Sequence, residues 1–148
     1  MLFLVSIKNL SELKIDKVNN ISYMFSSCKS IISLPGISNW EISNVINMSH
    51  IFDGCDYLIS ISDLSKWNTT NVKNMSYIFL GCITLSSIPN ISNWDTSNVI
   101  NMSHMFNECG SLTSIPSLIK WNTSNVTDLS YMFYNCNSLN SILIKLII

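Results

Sequence analysis

Five cysteines, Cys28, Cys55, Cys82, Cys109 and Cys136, recur at an unbroken interval of 27 residues. An irregular globular core does not impose so strict a spacing, but a coil that returns to the same side of the molecule on every turn does. Phe25, Phe52, Phe79, Phe106 and Phe133 keep the same interval, as do Val18, Val45, Val72, Val99 and Val126 and the tryptophans Trp40, Trp67, Trp94 and Trp121. The period therefore belongs to a whole structural unit, with the consensus W-[DEN]-[IT]-[ST]-N-V-x-[ND]-[ML]-S-[YH]-[MI]-F-x-x-C. A longer period of 54 residues is superimposed, because ISNWEISNVINMSHIF at 37–52 returns as ISNWDTSNVINMSHMF at 91–106. Duplication of a two-unit block accounts for the strict alternation of Tyr23, His50, Tyr77, His104 and Tyr131.

Each unit predicts two elements. Met48, Ile51, Phe52 and Cys55 stand at i, i+3, i+4 and i+7, the spacing of one buried face of a short two-turn helix. Asn47 and its equivalents Asn20, Asn74, Asn101 and Asp128 stand where that helix would be capped, and an Asn-to-Asp exchange preserves the acceptor a cap uses. After the cysteine, Leu58, Ile61 and Leu64, and again Leu112, Ile115 and Leu118, have the spacing of a leucine-rich-repeat strand, with Pro89 and Pro116 just past strand residues Ile88 and Ile115. Asn44, Asn71, Asn98 and Asn125 predict an asparagine ladder in the turn before the valine. No unit of this size buries its own apolar face, so the units must stack, with parallel strands about 4.8 Å apart. The expected class is α/β, a leucine-rich-repeat-type solenoid forming a single repeat domain over 1–148, about five units with the first and last incomplete.

The string TSNVTDLSYMFYNCNSL and its counterparts resemble the BspA-like leucine-rich-repeat surface proteins, in particular the mycoplasma-type repeat family of unknown function. The resemblance covers nearly the whole chain and recurs in register. It implies an extended solenoid at a cell surface, associated with adhesion or host contact, and it carries no catalytic residues across.

Composition narrows the partners. Charged residues make up 11% of the chain and the formal net charge is -1, so there is no basic cluster to bind phosphates and no nucleic-acid partner is expected. The opening MLFLVSIKNL has no preceding basic region and no small-residue cleavage site, and reads as folded sequence rather than a signal peptide. The closing SILIKLII is far shorter than the ~20 residues of a membrane helix, so no membrane span is expected.

The chemistry-bearing residues point away from catalysis. The cysteines fall on the predicted buried face as free core thiols, and no CxxC-like pair suggests zinc. His50 and His104, two units apart, would be separated by roughly 10 Å and cannot share a metal. Glu41 and Asp95 occupy equivalent positions, but a similar separation with Asn68 between them is too wide for a glycosidase pair. Neither a cofactor nor a metal is expected. What remains is the outward stripe Tyr23, His50, Tyr77, His104 and Tyr131, a candidate contact surface because interfaces favour aromatics; the alternative is that each ring only packs on its neighbours. The expected function is recognition of a protein or glycan, in adhesion or cell contact. The competing reading is a structural spacer or a fragment of a longer array, with further repeats at either end.

Overall fold

The computed structural model describes residue 7 and residues 9–144. Much of the opening segment and the last part of SILIKLII lie outside the described residues. Successive turns of the chain stack in parallel, with bridge partners 27 residues apart: Asn20 on Asn47, Asn47 on Asn74, Asn74 on Asn101, and Asn101 on Asp128.

The segment expected to be a helix is not one. Among the described residues there is no α-helix, only two short 3-10 turns at Leu10–Glu12 and Ile37–Asn39. Residues 49–54 instead run as consecutive tight turns whose backbone bonds to the neighbouring rungs. The amides of Met48, His50, Phe52 and Gly54 donate to the carbonyls of Asn74, Ser76, Ile78 and Leu80 on the next rung, at 2.8–3.1 Å. The carbonyls of Asn47, Ser49, Ile51 and Asp53 accept from Ile21, Tyr23, Phe25 and Ser27 on the previous one. A helix would consume these amides in bonds four residues back and leave nothing to join rung to rung.

The turns require left-handed backbone at two points per rung. One is filled by Tyr23, His50, Tyr77, His104 and Tyr131, at φ 55–60°. The other is filled by Ser27, Gly54, Gly81, Glu108 and Asn135, at φ 58–67°. The turn at Phe52–Cys55, closed by a 3.2 Å bond from the Cys55 amide to the Phe52 carbonyl, has Gly54 as its third residue, where a type II turn needs positive φ. The expected helix caps act here as turn residues: Asn20, Asn47, Asn74, Asn101 and Asp128 each accept the amide of the serine two residues on, at 2.8–3.0 Å.

Strand pairing is sparser than expected. β1 (Ser33–Leu34) pairs in parallel with β2 (Ser60–Ile61), and single bridges join Ser87 to Ser114 and Leu118 to Ile144. The Ser62 amide donates to the Leu34 carbonyl. One and two periods later the same position is Pro89 and Pro116, which have no amide to donate, so that bond cannot recur.

Inside the coil, one continuous apolar core runs along the axis. The buried face inferred from periodicity is buried indeed, although not helical: Met48, Ile51, Phe52 and Cys55 are inaccessible to solvent. Several rows form aromatic or polar ladders. Phe25 to Phe133 stack at centroid distances of 5.4–5.9 Å. Trp40 to Trp121 stack at 6.1–6.5 Å, and each indole N–H donates to a carbonyl of the previous turn, as Trp67 does to Ile37 at 2.8 Å. The asparagine ladder runs along the outside, with Asn44, Asn71, Asn98 and Asn125 donating through Nδ2 to Asp16, Ser43, Thr70 and Ser97 of the previous turn at 2.6–2.8 Å.

Candidate functional site

The tight turns at positive φ set the side chains of Tyr23, His50, Tyr77, His104 and Tyr131 one above another. Their rings stack nearly parallel, with centroids 4.3, 4.3, 4.5 and 4.8 Å apart and planes within 18°. The end rings are open, Tyr23 58% and Tyr131 60% exposed. Between them, His50, Tyr77 and His104 are half-buried, their faces covered by neighbours. Along its middle the stripe therefore exposes ring edges, not ring faces.

The two histidines are held differently. His50 Nδ1 lies 2.9 Å from Asp53 Oδ2, whereas His104 Nδ1 lies 2.8 Å from Asn107 Nδ2. Asp53 and Asn107 stand at equivalent positions, each three residues after its histidine, and the tight turn brings each within hydrogen-bond distance of the ring.

The thiols form an internal ladder instead of a reactive site. Cys55, Cys82, Cys109 and Cys136 donate through Sγ to the carbonyls of Phe25, Phe52, Phe79 and Phe106 at 3.0–3.2 Å. Cys55, Cys82 and Cys109 are buried, while Cys28 and Cys136 are half-buried, and all five are free. Burial pushes the Cys55 thiol up to about 12 and raises Cys82 and Cys109 well above the ordinary thiol range, so the nucleophilic thiolate is suppressed.

The carboxylates do not converge. Asp95 accepts the amide and hydroxyl of Ser97 at 2.9 and 2.7 Å, and these bonds hold its carboxyl below the usual range. Glu41 lies a full two turns away, on a shallow cavity of about 430 Å³ shared with Ser11 to Asp16 and Asn39. Among the described residues, no group of three or more His, Cys, Asp or Glu side chains could hold a metal ion. No helix there is long and apolar enough to cross a membrane.

The comparisons with known proteins agree with this architecture. The family model described as Mycoplasma protein of unknown function, DUF285, matches residues 4–88 and 59–146. The chain belongs to the DUF285 family. Two solved structures share the fold of this DUF285 chain. One is the leucine-rich-repeat protein of T. pallidum, at 22% identity and a TM-score of 0.52, over 84% of this chain and 51% of that one. The other is described as a leucine-rich cell surface protein of Faecalibacterium prausnitzii, at 24% identity and a TM-score of 0.54, over 94% of this chain and 31% of that one. The DUF285 chain thus spans about half of the first protein and a third of the second, and the likeness is one of a leucine-rich-repeat fold. No curated protein matches it.

Proposed function

We propose that this chain is a non-catalytic recognition module of about five stacked units, displayed at a cell surface and serving adhesion or cell contact through the Tyr–His stripe. The observation that carries the reading is the stripe itself. Five bulky side chains occupy left-handed backbone, a conformation that costs about 1–2 kcal/mol for an ordinary residue, at a solvent edge outside the core. Ligand residues on repeat proteins gather on such rows because stacking presents the same position again and again. The description of the Faecalibacterium relative as a cell surface protein supports the location. A protein or a glycan is the ligand, and further repeats at either end would lengthen the row.

A second reading, a spacer without a ligand, has one observation in its favour: the same ring stack also ties rung to rung, which is all that a spacer needs. The two separate in a binding measurement on cultured epithelial cells and immobilised extracellular matrix. The triple variant His50→Asn, Tyr77→Asn, His104→Asn keeps residues that tolerate left-handed backbone. A recognition module binds saturably and loses at least tenfold in affinity in this variant while its circular dichroism is unchanged. Equal binding by the variant, or no saturable binding by the parent chain, would leave the spacer standing.

A further inference from the structure

We propose that the C-terminal end of the stripe, where the open face of Tyr131 meets the ring of Tyr134 beside the carboxylates of Glu108 and Asp128, binds a quaternary ammonium group. This ligand chemistry belongs to one end of the stripe, and it rests on the recognition reading only in treating that stripe as a binding row.

The two ends of the stripe differ. Tyr23 and Tyr131 are almost equally open, 58% and 60% exposed, so each leaves its outer ring face to solvent. Around Tyr23 the rung places Asn20, Ser26 and Ser27, none of them charged, and the Asp53 carboxylate on the next rung is engaged by His50 at 2.9 Å. Around Tyr131 the same three positions are Asp128, Tyr134 and Asn135, and the preceding rung carries Glu108. Tyr134 is 54% exposed and stands at 84° to Tyr131, with ring centroids 5.5 Å apart. It leaves the outer face of Tyr131 uncovered, because Tyr131 is no less open than Tyr23, and the two rings form a right-angled corner.

Glu108 is the costlier departure from the repeat. It sits at φ 61° in a row where two rungs use glycine, Gly54 and Gly81, and left-handed backbone is strained for a residue with a long side chain. Its amide donates to the Tyr134 carbonyl at 2.8 Å, as any residue's would, but its carboxylate is exposed and has no hydrogen bond or ion pair among the described residues to offset the strain. Asp128 lies three residues before Tyr131 and accepts the Ser130 amide at 2.9 Å. Its bonds to Ser130, and to a lesser degree the neighbouring His104, hold its carboxyl below the usual range. Two carboxylates therefore flank two open rings, and ring faces attract cations. A round trimethylammonium group touches both faces of a right-angled corner at once. A flat guanidinium lies on one face only, and a primary ammonium is drawn away by its tightly held water.

Choline chloride titrated into the isotope-labelled chain should bind saturably, with a dissociation constant on the order of 1–10 mM, and shift the NMR resonances of Tyr131 and Tyr134 while leaving those of Tyr23 in place. Tyr131→Asn, which keeps a residue tolerant of left-handed backbone, should weaken binding at least about fivefold, and Tyr23→Asn should leave it unchanged. Glu108→Gly should weaken choline binding at least about threefold and at the same time raise the urea midpoint of unfolding, since the strain leaves with the carboxylate. A glutamate kept for structure would lower that midpoint instead. Shifts spread along the whole stripe, equal binding of the uncharged isostere 3,3-dimethylbutan-1-ol or of methylguanidinium, or full affinity in Glu108→Gly would each overturn the assignment. Phosphatidylcholine vesicles carry the same group in a bilayer: cosedimentation competed by free choline assigns a lipid source, choline binding without cosedimentation assigns a soluble one, and failure of both overturns the site. Choline binding without attachment to cells sinks the adhesion reading and leaves the site, while attachment without choline binding does the reverse.

Discussion

The turn ladder and the strand segment of each unit have the same number of copies, yet one is continuous and the other is not. Through the ladder, rung after rung from Asn20 to Asp128 is bridged, and the alternate amides from Ile21 through Glu108 donate to carbonyls of the next rung. Through the strand segment, pairing is confined to β1 on β2 and isolated bridges, and among the described residues no backbone bond joins 58–63 to 85–90. The sequences differ in the same way. The two copies of the ladder at 37–52 and 91–106 are nearly identical, whereas 53–65 and 107–119, DGCDYLISISDLS and NECGSLTSIPSLI, have diverged. In a stacked coil, regularity comes from identical side chains sitting on one another, and where the side chains drift, or a proline removes the amide, the backbone ladder lapses as well.

Stability measurements can break this contrast. Phe79→Ala removes a buried ring with stacking partners on both sides and should cost about 3–5 kcal/mol in urea unfolding. Ile61→Ala, half-buried in the strand segment, should cost about 1 kcal/mol. Equal losses would mean that the ladder holds no more of the fold than the strand does.

The thiols add a pH test. The unfolded chain loses its thiol protons from about the ordinary 9.0 upward, whereas burial keeps Cys55 protonated to about 12. The stability is thus complete below that window and falls as pH climbs through it, by up to about 1.4 kcal/mol per pH unit for each buried thiol. Cys82→Ala should make the alkaline fall shallower, and an unchanged slope would place the titration elsewhere.

Smaller effects sharpen the comparison further. Asn74→Ala deletes an acceptor for the amide and hydroxyl of Ser76 inside the ladder and should cost about 1–2 kcal/mol; Asn90→Ala deletes the same pair of bonds to Ser92 at an exposed turn and should cost about 0.5 kcal/mol. Smallest of all, Pro89→Ser restores an amide opposite the Ile61 carbonyl, and the new bond is offset by the greater freedom of the unfolded chain. The net change should stay within about 0.5 kcal/mol, with measurable hydrogen-exchange protection of the new amide. A large gain would show that the proline alone interrupts the sheet.

The sequence by itself determined the repeat, its length, the rows that stack and which side chains turn inward, because a coil with a fixed period must return each position to its own row. It also identified the Tyr–His alternation as a stripe. The tertiary structure alone decided how the backbone runs between those rows. Periodicity at i, i+3, i+4 and i+7 reports which side chains face the core, and tight turns satisfy it as well as a helix does. The choice between them depends on where the amides go. In an isolated segment they would bond four residues back, but a neighbouring rung offers carbonyls in register, and the left-handed residues at His50 and Gly54 aim the amides toward it. That Asp53 follows His50 where Asn107 follows His104 is written in the sequence; the contacts of 2.9 and 2.8 Å are made by the tight turn that joins each pair.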